Sequence, residues 1–588
     1  MVNPPLLVYV LGLAFWPWTL ISPASATEDW VSQAIVFGRL WSVFFGVLTV
    51  ALTYRVGKRA GAIKTGLAAM VLMAGTFLPA RESHFGVNDA LVTFLVLLVI
   101  DAGLRLFSSH RWPVYAAAGI AVGLTAAAKL TGGLAALVLL AAYWLAGTAH
   151  KNRHPRLLFL AGAIALLTFF LVTFPLWLTP QVVVADVIEH LEFGAEGYKG
   201  ARMVPSNGWQ FYAGVLGWGM GWLLLFSAVI SLISGIRQRR SVETVLAIFP
   251  IVLFGVMGGQ KILFARFILP AIPPLVVLAA LGLATWQERW LFWRRHQVFV
   301  WPLLMGVVLA QPLVNLIWFD HLLTRPDTRQ LATDWVKQEL PEKTIITSES
   351  YAVFPKNYFF TPDNPYKLMF INERSTTNDN LDHYLWRTAQ FVVLSNYTFG
   401  RARLDPADEA LRLAQLAYLD EQATLVKTFN PYRPGYEAGW FYQDEIYGPA
   451  GETLQRVLPG PLIKIYKIRP PALDQLNISV PLRANLSNQL YLLGYDLPQT
   501  QVKAGQALPI TFYWQAPAEK SPEADFIQFN RLLDSNGNLR GSIDREPREY
   551  YSTHLWNPGE IVIDGAVVPV QADAPPGQYY LNVGYYLV

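Results

Sequence analysis

From the N-terminus to about residue 317, the chain repeats apolar stretches, each long enough to cross the ~30 Å of bilayer hydrocarbon at 1.5 Å of helix rise per residue. Within lipid, every backbone N–H and C=O must be paired inside its own segment, so such stretches fold as helices. That one property fixes the fold class of more than half the molecule. The predicted spans lie near 31–54, 64–80, 88–107, 156–178, 209–235, 242–257, 267–285 and 297–317. The apolar run 113–148 is too long for one crossing and is interrupted by Lys129-Leu-Thr-Gly-Gly133, which predicts two short helices meeting at that turn. The total is about ten crossings. The first apolar segment, 4–22, carries Pro4-Pro5 and Pro17 between Trp16 and Trp18, a pattern that suits an interfacial or re-entrant helix as well as a span.

Composition divides the molecule in two. Residues 1–320 have a charge balance of +10 and residues 321–588 one of −6, as expected of a lipid-embedded half followed by a water-exposed one. The absence of cysteine excludes a disulfide framework, a zinc finger, an iron–sulfur site and a Cys nucleophile. A net charge of +4, concentrated in short loops, is too small to argue for a nucleic-acid partner, and none is expected. Of the 22 basic residues in the first half, 15 cluster in alternate loops: Arg55/Lys58/Arg59/Lys64, Arg105/Arg111, Lys151/Arg153/Arg156, Arg237/Arg239/Arg240 and Arg289/Arg294/Arg295. By the positive-inside rule these loops are cytoplasmic, so the other loops and everything after residue 320 face out.

Charges on the outer face have no such topological reason. The loop Ala80-Arg-Glu-Ser-His-Phe-Gly-Val-Asn-Asp89 ends on a carboxylate at the mouth of a helix. Asp89 there is either an N-cap or a general base held at the membrane boundary beside Arg81, Glu82 and His84. Lys129, in the turn between two Ala-rich helices, and the pair Lys261/Arg266 are cations that either snorkel to the interface or line a site. Together they outline a basic rim around a carboxylate, the arrangement an anionic lipid headgroup requires. The loop 180–208, with Asp186, Glu189, His190, Glu192, Glu196, Tyr198, Lys199 and Arg202, is a candidate lid.

The runs "RESHFGVNDALVTF", "AGIAVGLTAAAKLTGG" and "KILFARFILPAIPPL" resemble, in order and spacing, the polyprenyl-phosphate-dependent glycosyltransferases of the C superfamily (the GT-C fold). Among these the resemblance is to bacterial protein mannosyltransferase-like and aminoarabinose-transferase-like membrane enzymes, and it covers most of residues 3–320. It implies a multi-pass plasma-membrane enzyme of the cell envelope that transfers a hexosyl or pentosyl unit. The donor would be a polyprenyl-phosphate-linked sugar, and the acceptor a hydroxyl of a protein, lipid or glycan on the outer side. It leaves any need for a divalent metal open and assigns no metal ligand. By the same resemblance Asp89 matches an acidic position of the family, Lys129 the lysine of its "GLaaatK" stretch and Arg266 the arginine of its "RYlLPllP" stretch. Family members carry a principal acidic motif, usually Asp-Glu, just upstream of a segment like Asn3-Pro-Pro-Leu6. This chain begins at that segment, so the first span and that motif are expected to be missing from it.

Beyond the membrane half, Leu331, Trp335 and Val336 fall on one face of a helix that stops at Pro341. Strand-like runs at Thr344–Thr347 and Phe391–Ser395, a helix near 406–419, and strands near 423–429 and 461–468 predict a mixed α/β domain over 325–469. From 470 to 588, short alternating runs separated by turns such as Asp534-Ser-Asn-Gly537 and Trp556-Asn-Pro-Gly559 predict an antiparallel β-sandwich. The chain ends inside a strand-like run, so a further strand is expected beyond it. The sandwich aromatics are either core or a carbohydrate platform. Two other functional classes stay open: a non-catalytic glycan- or lipid-binding membrane scaffold derived from this fold, and a transporter. Against the transporter, nearly all charges lie at helix ends rather than near the midplane.

Overall fold

The structure is a computed structural model. It describes residues 27–109, 111–150, 154–196, 207–289, 297–342, 344–349, 351–353, 366–371, 390–397, 423–436, 443–468, 473–549 and 551–587, with isolated residues in 6–16 and 410–419. A helical region with several candidate spans is followed by a β-rich region, as the sequence predicts. Among the described residues five helices are long and apolar enough to cross a membrane, or up to seven if each bent pair counts as one span. The reading of about ten crossings also included the shorter apolar helices Trp112–Ala128 and Leu130–Ala146. Most of segment 4–22 lies outside the described residues.

The helix Asp89–Arg105 is the spine of the helical unit, buried along most of its length from Ala90 to Leu104. A helix apolar on every face has no amphipathic preference and belongs at the centre of a bundle. Around it the apolar side chains form one continuous core with those of Thr27–Ala60, Trp112–Ala128, Ser241–Gly258 and Ile272–Arg289. The two helices expected on either side of Lys129 are present, as Trp112–Ala128 and Ala136–His150, joined by a 3-10 turn over Leu130–Ala135.

Two sequence expectations are corrected. The single span at 209–235 is two helices, Gly208–Met220 and Trp222–Arg237, bent by 111° at Gly221. Gly221 has φ 99°, a left-handed conformation open to glycine at little cost. The candidate lid 180–208 is not a plain loop, because Pro180–Glu196 is a helix. Of the residues named in that lid, Tyr198, Lys199 and Arg202 lie outside the described ones.

The chain forms two compact units, and the first division between them falls at Asp327, close to where the composition changes. The helical unit comprises the chain to Asp327 and takes back Pro431–Gly460, a stretch the sequence reading placed inside the α/β domain. In the second unit the helix Thr328–Glu339 buries Ala332 and Val336 against a five-stranded mixed sheet. Its strands are β1 (Ile345–Glu349), β2 (Lys367–Ile371), β3 (Phe391–Ser395), β4 (Ala423–Phe429) and β5 (Ile463–Ile468), in the order β2-β1-β3-β5-β4. β1 runs parallel to β2 and β3, and β5 antiparallel to β3 and β4. The helix expected near 406–419 lies largely outside the described residues.

The sandwich follows with β6 (Val480–Leu486), β7 (Leu490–Asp496), β8 (Ala507–Gln515), β9 (Phe526–Asp534), β10 (Leu539–Arg545), β11 (Ile561–Pro569) and β12 (Tyr579–Leu587). They make two antiparallel sheets, β11-β8-β7-β6 and β10-β9-β12. Trp514 and Trp556 are fully buried in its core, so these two aromatics pack the fold and are not a carbohydrate platform.

Candidate functional site

The site is built from helix ends. Asp89 is the first residue of the spine helix, yet it does not cap it: the N-cap position belongs to Asn88, whose amide donates to the Ala128 carbonyl at 3.3 Å. The Asp89 carboxylate, 2% exposed, turns instead to two cations. Lys129 Nζ lies 2.7 Å from Oδ1, and Arg266 Nε lies 3.5 Å from Oδ2. Burying a carboxylate is tolerated only when charge and hydrogen bonds answer it, and here both come from breaks in other helices. Lys129 stands in extended backbone (φ −158°) where Trp112–Ala128 stops. The turn after it needs glycine at 132, where a Cβ would meet the Thr125 carbonyl oxygen at 2.7 Å. Arg266 is the second residue of the 3-10 turn Ala265–Ala271, just before the helix Ile272–Arg289. Aromatic rings flank both cations, Phe267 at 4.2 Å from Lys129 Nζ, and Phe264 and Tyr447 at 4.3 and 4.9 Å from the Arg266 guanidinium.

A second carboxylate, not foreseen from the sequence, completes the group. Asp444, fully buried in the short turn Gln443–Ile446, accepts the N–H of Ala265 at 2.5 Å and of Arg266 at 3.3 Å. Its Oδ1 lies 3.9 Å from Arg266 Nη1, a nitrogen that is itself buried and has no hydrogen-bond acceptor. The only sequence sign of this role is negative: between β4 and β5, Pro431–Gly460 carries Gly and Pro but no strand or helix period.

Arg81 explains how that segment stays in place. Its fully buried guanidinium donates to the carbonyls of Pro449 (2.7 Å), Asp444 (2.8 Å) and Gly448 (2.7 Å) and pairs with Glu82. Its nitrogens are thus occupied inside the protein rather than presented to a ligand. A second buried pair braces the segment: Arg456 reaches Glu445 at 2.5 Å, the Tyr432 hydroxyl at 2.9 Å and the Gly460 carbonyl at 2.8 Å. Burial pushes the Glu445 carboxyl above the usual carboxylate range, and the Arg456 charge opposes that shift.

Of the residues singled out in the sequence, Asp89, Lys129 and Arg266 therefore converge, and Arg81 and Glu82 lie beneath the returning segment. His84 stands elsewhere, its Nδ1 at 2.9 Å from the Ala80 carbonyl oxygen and its Nε2 at 3.6 Å from the half-exposed Asp320. Lys261 is exposed and has none of the cluster's contacts. Among the described residues no group of three or more metal-ligating side chains is assembled.

Residues 30–174, less than half of the chain, match the family model described as dolichyl-phosphate-mannose-protein mannosyltransferase, which bears out the glycosyltransferase resemblance over that range. The matched range includes Asp89 and Lys129 but not Arg266 or Asp444.

Among solved structures the chain is similar to the apo oligosaccharyltransferase of Archaeoglobus fulgidus, at 12% identity and a TM-score of 0.46, over 100% of this chain and 89% of that one. It is also similar to apo ArnT from Cupriavidus metallidurans, at 15% identity and a TM-score of 0.43, over 72% of this chain and 86% of that one. The same ArnT bound to undecaprenyl phosphate aligns at 15% identity and a TM-score of 0.42, with the same two coverages. No curated protein matches the chain in sequence.

Proposed function

We propose that the protein is a membrane glycosyltransferase that moves a sugar from a polyprenyl-phosphate carrier to a hydroxyl acceptor on the outer face of the membrane. The observation that carries this reading is the buried Asp89 carboxylate held between Lys129 and Arg266, three residues brought together from three separate helix ends. The family match over residues 30–174 supports the donor class.

In the proposed reaction the acceptor oxygen attacks the anomeric carbon and the bond from that carbon to the phosphate oxygen breaks. The phosphate departs with the electron pair, and the hydroxyl proton passes to a carboxylate. A carrier phosphate is already a good leaving group, so the protein has mainly to supply fixed cations where charge develops and a base for the proton. Lys129 and Arg266, 17% and 14% exposed, are the members of the cluster a phosphate can reach. Asp89, buried between the two cations that would hold the phosphate, is the carboxylate placed to take that proton. Arg81 acts indirectly, by holding the segment that carries Asp444.

The test is sugar transfer from a polyprenyl-phosphate donor by membranes carrying wild type or Asp89→Asn. Asn keeps the shape and removes the charge, so turnover should fall by a factor on the order of 10² or more with expression unchanged. Undiminished transfer would remove Asp89 from the reaction. Carrier binding without transfer by the wild type would instead identify a lipid-binding scaffold.

A further inference from the structure

Arg266 is shared by two buried carboxylates and held tightly by neither. It lies 3.5 Å from Asp89 and 3.9 Å from Asp444, and its Nη1 is a buried donor with no acceptor. A phosphate oxygen that accepted a hydrogen bond from Nη1 would offer this guanidinium more than either carboxylate does. Asp444, in turn, is fully buried, and among the described residues Arg266 is its one ion-pair partner. A carboxylate that loses its counter-charge in a dry site is strongly destabilised there, even with two backbone N–H groups still on it.

We infer that Asp444 is a charge gate on the donor site: it competes with the carrier phosphate for Arg266, and donor binding drives it, with the turn Gln443–Ile446, out toward water. This rests on the reading of Lys129 and Arg266 as the phosphate ligands. Arg81 can hold Gly448 and Pro449 on the far side of the turn, while its bond to the Asp444 carbonyl and the Glu445–Arg456 pair are the contacts that the movement breaks. Opening of the site is then coupled to the arrival of a phosphate.

The experiment uses the full chain in phosphatidylcholine nanodiscs with undecaprenyl phosphate as the probe. Amide hydrogen exchange of peptides covering 443–449 should speed up in the wild type when the probe saturates. Asp444→Asn, which keeps a hydrogen-bond acceptor and removes the competing charge, should bind the probe about tenfold more tightly, because one competing ion pair no longer has to be broken. It should show no further exchange increase on binding. Unchanged or greater protection of 443–449 in the probe-saturated wild type would overturn the gate, and so would unchanged or weaker binding by Asp444→Asn. Should that variant fail to fold, the wild-type exchange result decides alone. If the probe does not bind the wild type, or binds Arg266→Ala equally well, the phosphate site itself fails and the gate with it. If binding requires Arg266 but 443–449 does not loosen, the gate alone fails.

Discussion

One helix, Asp89–Arg105, carries a buried carboxylate near each end, and the two are answered in opposite ways. At one end Asp101, 2% exposed, meets Arg55 at 3.0 Å, Arg59 at 3.2 Å and Arg105 at 2.9 Å, all three between 32% and 44% exposed. Arg105 sits one turn along the same helix, and Arg55 and Arg59 belong to the basic clusters that topology alone demands. At the other end the cations of Asp89 come from two separate helix breaks and are largely buried, and one of them, Arg266, is shared with a second buried carboxylate from residue 444. The first arrangement is what a helix bundle gains by recruiting charges already present at its rim. The second requires several elements to be interrupted and brought together, which helix packing by itself does not require.

The comparison can be broken first at the level of topology, where the effect is all or none. If the basic loops are cytoplasmic, a reporter active only in the cytoplasm and fused after Val588 should be silent. Strong activity there would exchange the two ends of the spine helix and put the Asp89 cluster on the wrong face.

Next in size is the effect at Arg81. Arg81→Ala leaves Glu82 buried without its partner and three carbonyls without a donor, so it should cost about 3 kcal/mol or more of stability. Arg105→Ala, a partly exposed member of the Asp101 group, should cost about 1 kcal/mol or less. Thermal unfolding in detergent reads both, and equal losses would erase the distinction.

The contrast in function is Asp101→Asn, which should leave sugar transfer close to wild type while Asp89→Asn abolishes most of it. A matched loss in both would show that transfer reports only the integrity of the spine helix. The smallest effect is on carrier binding, where Lys129→Ala should weaken the undecaprenyl phosphate complex about tenfold, the loss of roughly one charged contact. Arg55→Ala should leave it unchanged. Titration of the lipid against each variant separates the two.

How much of this was legible in the sequence depends on which physical signal each feature leaves. Charges stranded in apolar surroundings leave a strong one, so Asp89, Lys129 and Arg266 could be singled out, and the Lys129 turn could be placed between two helices. Asp89 as a cap was a fair reading from position alone, because the sequence does not reveal that Asn88 takes that place or that distant cations lie within reach. The 111° break at Gly221 leaves no mark in hydropathy, since both of its arms are apolar. Strands β2, β6 and β10 escaped for the converse reason: they are short or largely exposed and lack clean alternation. Asp444 was out of reach because nothing local distinguishes a carboxylate in a surface turn from one that packs against residues nearly two hundred positions earlier.

The return of Pro431–Gly460 to the helical unit also sets a schedule for biogenesis. A ribosome adding 5–20 residues per second needs on the order of ten seconds to proceed from Arg266 to Asp444. Over that interval the apolar helices can already be in the bilayer while Arg81 lacks the carbonyls it will bind and Arg266 lacks one of its two carboxylates. The nascent membrane half is therefore a charged and unfinished intermediate, and its completion waits on a stretch of chain translated after the sheet strand β4. Any exchange of the water-exposed half between related chains would replace the piece that finishes the membrane half as well.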